Sequence, residues 1–259
     1  MAYWDAALLG LIQGLSEFLP ISSSGHLTLA SALFGLNVVG GSALSFEIAV
    51  HIGTLLSVLI YFRKRLLTTA QGVFSKDGAE SRKLVRYIVI GTIPAALVGL
   101  SFKDSIQGFF ADPAMTAALL VINGFVLLST GFVSKSNKTM NLKSSLLIGV
   151  AQAAALLPGI SRSGSTIATA LHLKISPKGA AEFSFLLAIP VILGAVILSV
   201  GDFAALNEEQ LGVFAVGAIV ASVSGYMAIG WMMKLIEAGK FLYFGIYCIV
   251  AGATALFFV

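Results

Sequence analysis

Long apolar runs separated by short polar breaks set the pattern of this chain. The runs do not alternate in the two-residue rhythm of a membrane β-barrel. They continue for roughly the 20 residues that a helix needs to cross a hydrocarbon core of about 30 Å. Six runs read as spans: 46–62, 87–102, 114–133, 183–200, 213–233 and 241–258. Gly91 and Pro94 are expected to kink or end the second of them. Two other stretches are cut short. Residues 6–20 are apolar but carry Gln13, Glu17 and Pro20, and the next apolar piece, 27–36, ends at Gly35. Neither crosses alone, so together they predict a re-entrant helical hairpin. Irregular backbone at membrane depth is tolerated only where it is buried in protein or lines a wet cavity. The same succession recurs from Leu146: an apolar piece, a break at 157–164, and a short apolar piece to Leu173.

Composition agrees with a membrane solvent. Of 259 residues, 58% are hydrophobic and 11% charged, against about 25% charged in a soluble domain, and the mean hydropathy is +0.96. The net charge of +4 is spread over short loops, which excludes a nucleic-acid-binding surface. The lone cysteine, Cys248, excludes a disulfide framework or a cysteine metal site. The N-terminus lacks the basic region and cleavage site of a removable signal. The expected fold is an all-α polytopic membrane protein, one domain over 1–259, with six transmembrane helices and two re-entrant hairpins.

Loop charge orients the chain. Arg63, Lys64, Arg65, Lys76, Arg82, Lys83 and Arg86 make the most basic loop, which belongs in the cytoplasm. Alternation then puts 103–113 outside, Lys135, Lys138 and Lys143 inside, and the acidic loop with Asp202, Glu208 and Glu209 outside. Lys234 and Lys240 fall inside. The first hairpin enters from the outside and the second, flanked by lysines, from the inside. The sequence also repeats. A shift of 139 positions aligns Gly10 with Gly149, Gln13 with Gln152, Ser22 with Ser161, Ser24 with Ser163 and Gly25 with Gly164. Three spans follow each copy, and three is odd, so the halves 1–138 and 139–259 insert with opposite orientation. Inverted repeats of this kind hold their site at the repeat interface, built from broken helices.

The two breaks differ where chemistry needs a difference. Glu17 corresponds to Leu156, Ser23 to Arg162 and His26 to Ser165. One half offers a carboxylate, a hydroxyl and an imidazole; the other offers a guanidinium. A Ser/Gly-rich break opening into a helix presents free N–H groups to an anion, and Arg162 adds a fork matched to phosphate oxygens. Ser161, Ser163, Ser165 and Thr166 add donors. Charges at this depth are costly and mark function by default. Plainer roles exist for each: Glu17 neutralising Arg162, His26 at a helix start, Ser22 to Ser24 capping that helix. Glu47 and His51, four apart, share a helix face and read as a second shell or a pair within the helix. His172 reads as interfacial.

Gln13-Gly-Leu-Ser-Glu-Phe-Leu-Pro-Ile-Ser-Ser-Ser-Gly-His26 and Leu157-Pro-Gly-Ile-Ser-Arg-Ser-Gly-Ser-Thr166 closely resemble the two signature motifs of the undecaprenyl-diphosphate phosphatase family, whose members are associated with bacitracin resistance. Glu182 to Pro190 continues the similarity, which extends over the whole chain. The resemblance implies removal of the terminal phosphate from a C55 polyprenyl diphosphate on the outer face of the bacterial cytoplasmic membrane, regenerating a carrier for cell-wall synthesis. It implies a divalent cation, magnesium or calcium. By position, Ser23 becomes the nucleophile and His26 its hydrogen-bonded partner. Glu17 orients the histidine, acts as base or holds the metal, and Arg162 binds the diphosphate. Gln13, Ser22, Ser24, Gly25, Ser161, Ser163, Gly164 and Thr166 would line the phosphate site. Gln13 departs from the second glutamate that many members carry, which weakens a two-carboxylate metal site. A cation bridging diphosphate oxygens and Glu17 remains compatible. Attack by Ser23, by His26 or by water stays open, as does a homodimer. The partners expected are the lipid substrate and membrane lipid. The competing function is a secondary transporter or flippase of a polyprenyl phosphate, argued from the inverted repeat.

Overall fold

The computed structural model describes residues 2–34, 43–133, 138–199 and 206–259; Gly35, Lys135 and Asp202, named above, lie outside them, as do the ends of the runs 27–36 and 183–200. The described chain is helical, with an isolated bridge between Lys138 and Ile175 and no strand among the described residues. The helices are α1 (Tyr3–Phe18), α2 (Ser23–Phe34), α3 (Ala43–Tyr61), α4 (Arg63–Phe74), α5 (Ala79–Ser101), α6 (Lys103–Phe110) and α7 (Pro113–Ser129). A single 3-10 turn, Thr130–Phe132, extends α7. After it come α8 (Leu142–Ala154), α9 (Arg162–His172), α10 (Pro177–Leu198), α11 (Glu208–Glu237) and α12 (Tyr243–Ala255).

Both expected breaks are present, between α1 and α2 and between α8 and α9. Among the described residues, four helices are long and apolar enough to span: α5, α7 with its turn, α10 and α11. The count reaches five if α3 and α4 are one span bent by 73°. α12 is apolar but 13 residues long, so the expectation of six rests on shorter pieces than hydropathy suggested. Three loop assignments are corrected. Arg63–Phe74 is helix rather than loop, because its charge does not oppose helix formation and Leu66 and Thr69 turn toward the protein. Lys103–Phe110 is helical too. α5 does not end at Gly91 or Pro94 and begins at Ala79; a proline is tolerated where neighbouring helices satisfy the freed carbonyl.

Small residues hold the bundle together. Lipid tails are as apolar as leucine, so helices in a membrane associate through close packing rather than apolar burial. α1 lies against α11 and α8 against α5. A Cβ on Gly149 would stand 2.5 Å from the Gly91 carbonyl oxygen, and one on Gly10 would meet the Gly217 carbonyl still closer. α7 and α12 meet at Gly124 and Gly245 in the same manner. Inside, Phe18, Leu120, Leu127, Ile148, Ile167 and Phe185 are fully buried around the two breaks, with Phe18 edge-on to Phe185 at 5.5 Å between centroids. Outside, Trp4, Phe132, Ile197 and Phe257 stand exposed, a surface suited to lipid.

Candidate active site

The first break owes its shape to Ser22, whose backbone takes the left-handed conformation at φ 68°. That turn reverses the chain after Pro20 and starts α2. The Ser22 hydroxyl accepts the Gly25 N–H at 3.2 Å and so caps the helix, while its carbonyl accepts the His26 N–H at 3.1 Å. The second break repeats this. Ser161 Oγ accepts the Gly164 N–H at 3.0 Å, and its carbonyl accepts the Ser165 N–H at 2.8 Å. Gly159 supplies the reversal at φ +94°, a conformation that glycine adopts without steric cost. The two breaks touch: a Cβ on Gly25 would lie 3.1 Å from the Gly159 Cα.

Glu17, at the end of α1, is the hub. Its side chain is 6% exposed, and three neighbours converge on it. Ser23 Oγ donates to Oε2 at 2.6 Å, Gln13 Nε2 donates to the same oxygen at 3.1 Å, and Arg162 Nη2 donates to Oε1 at 2.5 Å. The carboxylate thereby joins the hydroxyl of one break to the guanidinium of the other. The second Arg162 amino group reaches the Ser184 carbonyl at 3.3 Å. A buried ion pair of this kind is costly to break, because each partner strands the other in a medium of low dielectric.

His26 is placed otherwise than expected. Ser23 gives its hydrogen bond to Glu17, and both ring nitrogens of His26 are engaged elsewhere. Nδ1 lies 2.8 Å from the Ser22 carbonyl and Nε2 2.8 Å from the Tyr247 hydroxyl. A carbonyl only accepts, so Nδ1 carries the proton, and in the neutral ring Nε2 accepts from Tyr247. The two rings stack at 5.7 Å. Tyr247, on α12, had no motif to mark it. His51, expected with Glu47 as a second shell or a pair within the helix, has Nε2 3.7 Å from Glu17 Oε2 and Nδ1 held by the Glu47 carbonyl, four residues back on α3, at 2.7 Å. His172 ends α9 and meets Ser129 Oγ at 2.8 Å, away from this cluster.

Several expected phosphate ligands serve the backbone instead. Ser22 and Ser161 are caps, and Ser163 Oγ donates to the Leu19 carbonyl at 3.2 Å across the two breaks. Thr166 Oγ1 lies 2.7 Å from Ser184 Oγ. Ser24 Oγ is 3.4 Å from Ser22 Oγ. Gly25 and Gly164 are buried N–H donors to the capping serines. For a metal, no group of three His, Cys, Asp or Glu side chains converges among the described residues. One signal remains: Gln13 Oε1 is buried without a hydrogen-bond partner. Its orientation is forced, since the carboxylate of Glu17 takes the amide nitrogen. An orphaned amide oxygen beside one carboxylate fits a hard cation whose other ligands come from substrate. Beyond His26 and Tyr247, an apolar groove of about 430 Å³ runs between α2 and α12, lined by Ile12, Leu29, Leu33, Ala251 and Phe258.

A family model described as "Bacitracin resistance protein BacA" matches residues 6–254. Among curated proteins, the chain is 38% identical to "Undecaprenyl-diphosphatase" of Parabacteroides distasonis, covering 99% of this chain and 98% of that one. It is 40% identical to the protein of that name from Bacteroides thetaiotaomicron, with the same coverage. For the protein of that name from Elusimicrobium minutum, identity is 40%, covering 97% of this chain and 96% of that one. The matched residues take in both breaks, and the chain belongs to the BacA family.

Proposed function

We propose that this chain hydrolyses undecaprenyl diphosphate to undecaprenyl phosphate and inorganic phosphate, recycling the lipid carrier of cell-wall synthesis at the bacterial cytoplasmic membrane. The observation that carries the reading is the Glu17 carboxylate, bonded at once to the Ser23 hydroxyl and the Arg162 guanidinium. The name of the curated relatives, matched over 99% of this chain, supplies the substrate.

In this reading Ser23 attacks the terminal phosphorus, forming an Oγ–P bond while the P–O bond to undecaprenyl phosphate breaks. The serine proton goes to Glu17 Oε2, which already accepts it at 2.6 Å. Glu17 passes that proton to the departing undecaprenyl phosphate oxygen; water then cleaves the phosphoserine, giving a proton to Glu17, which returns it to Ser23 Oγ as the Oγ–P bond breaks. Arg162 turns its fork to the phosphate oxygens, where charge builds in the transition state. His26, with Nδ1 fixed and Nε2 facing the head of the groove, donates from Nε2 to the lipid-side phosphate as the imidazolium, in place of its contact with the Tyr247 hydroxyl. The isoprenoid tail follows the apolar groove toward Phe258. Glu17 and Gln13 Oε1 are the protein groups that would hold a magnesium or calcium ion; the ion supplies charge neutralisation on the diphosphate.

The inverted repeat belongs to the same reading. It is supported by the matched caps at Ser22 and Ser161 and by the reciprocal packing of α1 on α11 and α8 on α5. The same reciprocity favours a second reading, in which the protein moves a polyprenyl phosphate across the membrane. The decisive assay measures phosphate release from undecaprenyl diphosphate in detergent. Ser23→Ala and Arg162→Ala are expected to lower kcat by about 10²–10³ or more, the scale for losing a transition-state donor, and EDTA is expected to abolish turnover. A folded wild type that releases no phosphate leaves transport as the leading function.

A further inference from the structure

Asn123 lies in the middle of α7, fully buried, and no motif or charge pattern singles it out. Its amide makes three contacts, each to a different part of the chain. Nδ2 donates to the Pro20 carbonyl at 3.1 Å, in the first break. Oδ1 accepts the Ser161 N–H at 3.0 Å, in the second break. Nδ2 also points to Cys248 Sγ on α12 at 3.4 Å. Pro20 is three residues from Ser23, and Ser161 is adjacent to Arg162. Irregular backbone at this depth has no water to satisfy it, so its polar groups depend on side chains. Around this point the breaks are also joined by Ser163 Oγ to the Leu19 carbonyl, and α7 backs Gly159, whose Cβ position is filled by the Thr116 carbonyl and Leu119.

We infer that Asn123 is a positioning residue: its single amide bolts the nucleophile-bearing break to the arginine-bearing break and sets the separation of Ser23 and Glu17 from Arg162. It touches no substrate and acts through Pro20 and Ser161. This rests on the reading above, that the two breaks form one phosphatase site. Only a group with a donor and an acceptor on one rigid plane serves both backbones. A protonated carboxyl has that pattern, whereas a carboxylate keeps only the acceptor and leucine has neither.

That difference supplies the test. Phosphate release from undecaprenyl diphosphate is measured for wild type, Asn123→Leu, Asn123→Asp and Arg162→Ala between pH 5 and 9, with thermal midpoints in detergent. Asn123→Leu is expected to lose about 10- to 100-fold in kcat with KM within about threefold, the scale for a misplaced catalytic group. Asn123→Asp is expected to retain more kcat than Asn123→Leu and to gain further on wild type as pH falls, because protonation restores the donor to Pro20. Cys248 is the titratable group in contact with this position, and its thiol stays neutral through the acidic half of that range. Asp at wild-type level throughout, with Leu impaired, also supports the inference, since a buried carboxyl held neutral is the same brace. Wild-type kcat in Asn123→Leu overturns it. So does equal loss in Leu and Asp at every pH, which assigns the residue to packing alone. If Asn123→Leu does not fold, the comparison of Asp with wild type across pH decides by the same criterion. Full activity in Arg162→Ala would instead sink the phosphatase site itself.

Discussion

At the residue scale, the site depends on one carboxylate doing several things. Glu17 receives the Ser23 hydroxyl, the Gln13 amide and the Arg162 guanidinium, and His51 stands 3.7 Å away. Glu17→Gln keeps the shape but removes the charge that balances Arg162 and, in the proposed mechanism, the base for the serine proton. Its kcat should fall by at least about 10², the scale of general-base catalysis. Stability should fall by about 3–5 kcal/mol, the cost of leaving one member of a buried pair alone. Phosphate release and a melting curve in detergent check both. Retention of activity in Glu17→Gln would assign the serine proton to another group. Gln13 matters for a different reason. Its amide nitrogen steadies Glu17, while its oxygen is left as a buried acceptor, so a glutamine can stand where a second glutamate was expected and still offer an oxygen to a cation.

At the element scale, the broken helices are held by contacts that only small residues allow. α8 approaches α5 until Gly149 meets the Gly91 backbone, and α1 approaches α11 at Gly10 and Gly217. These contacts place Gln152 and Gln13, one turn on, against the neighbouring helices; Gln152 Nε2 reaches the Gly91 carbonyl at 3.3 Å. Gly149→Leu should therefore separate α8 from α5 and destabilise the protein by about 1–3 kcal/mol, the usual cost of overpacking. A melting midpoint unchanged in detergent would show that the interface has slack. The exposed pair between Arg65 on α4 and Glu182 on α10 is different. At 2.7 Å with side chains 52% and 27% exposed, it is screened by water and headgroups, so Arg65→Ala should change the midpoint little.

At the scale of the whole molecule, the charged cluster sits inside a body whose outer face is apolar, and the groove along α12 connects the two. The groove begins at His26 and Tyr247 and ends near Phe258, eleven residues along α12 and its last turn, or about 16 Å at helical rise. Filling it with Ala251→Phe should raise KM for undecaprenyl diphosphate about tenfold or more, since each buried methylene contributes about 0.8 kcal/mol. Turnover of a C5 diphosphate, too short to enter the groove, should be unchanged. Equal effects on both substrates would place the tail elsewhere. The two breaks differ in what they carry: one holds Ser23 and the other Arg162, and the Glu17 carboxylate bonds both.

The amino-acid sequence alone determined the membrane class, the two breaks, the internal shift of 139 positions and the identities of Glu17, Ser23, His26 and Arg162. These are legible because hydropathy is a local sum and because polar residues at membrane depth are rare enough to stand out. Helix ends were less legible. Arg63–Phe74 carries loop-like charge yet forms α4, and the 13 residues of α12 sit inside a longer apolar run. Pairings were not legible at all. Whether Ser23 bonds His26 or Glu17 turns on how Ser22 reverses the chain at positive φ, and the roles of Tyr247, His51 and Asn123 exist only because α12, α3 and α7 pack where they do. A residue type announces what chemistry it can offer, but a hydrogen bond needs two groups within about 3 Å. For residues separated by as many as 221 positions, as His26 and Tyr247 are, only the packed helices decide that.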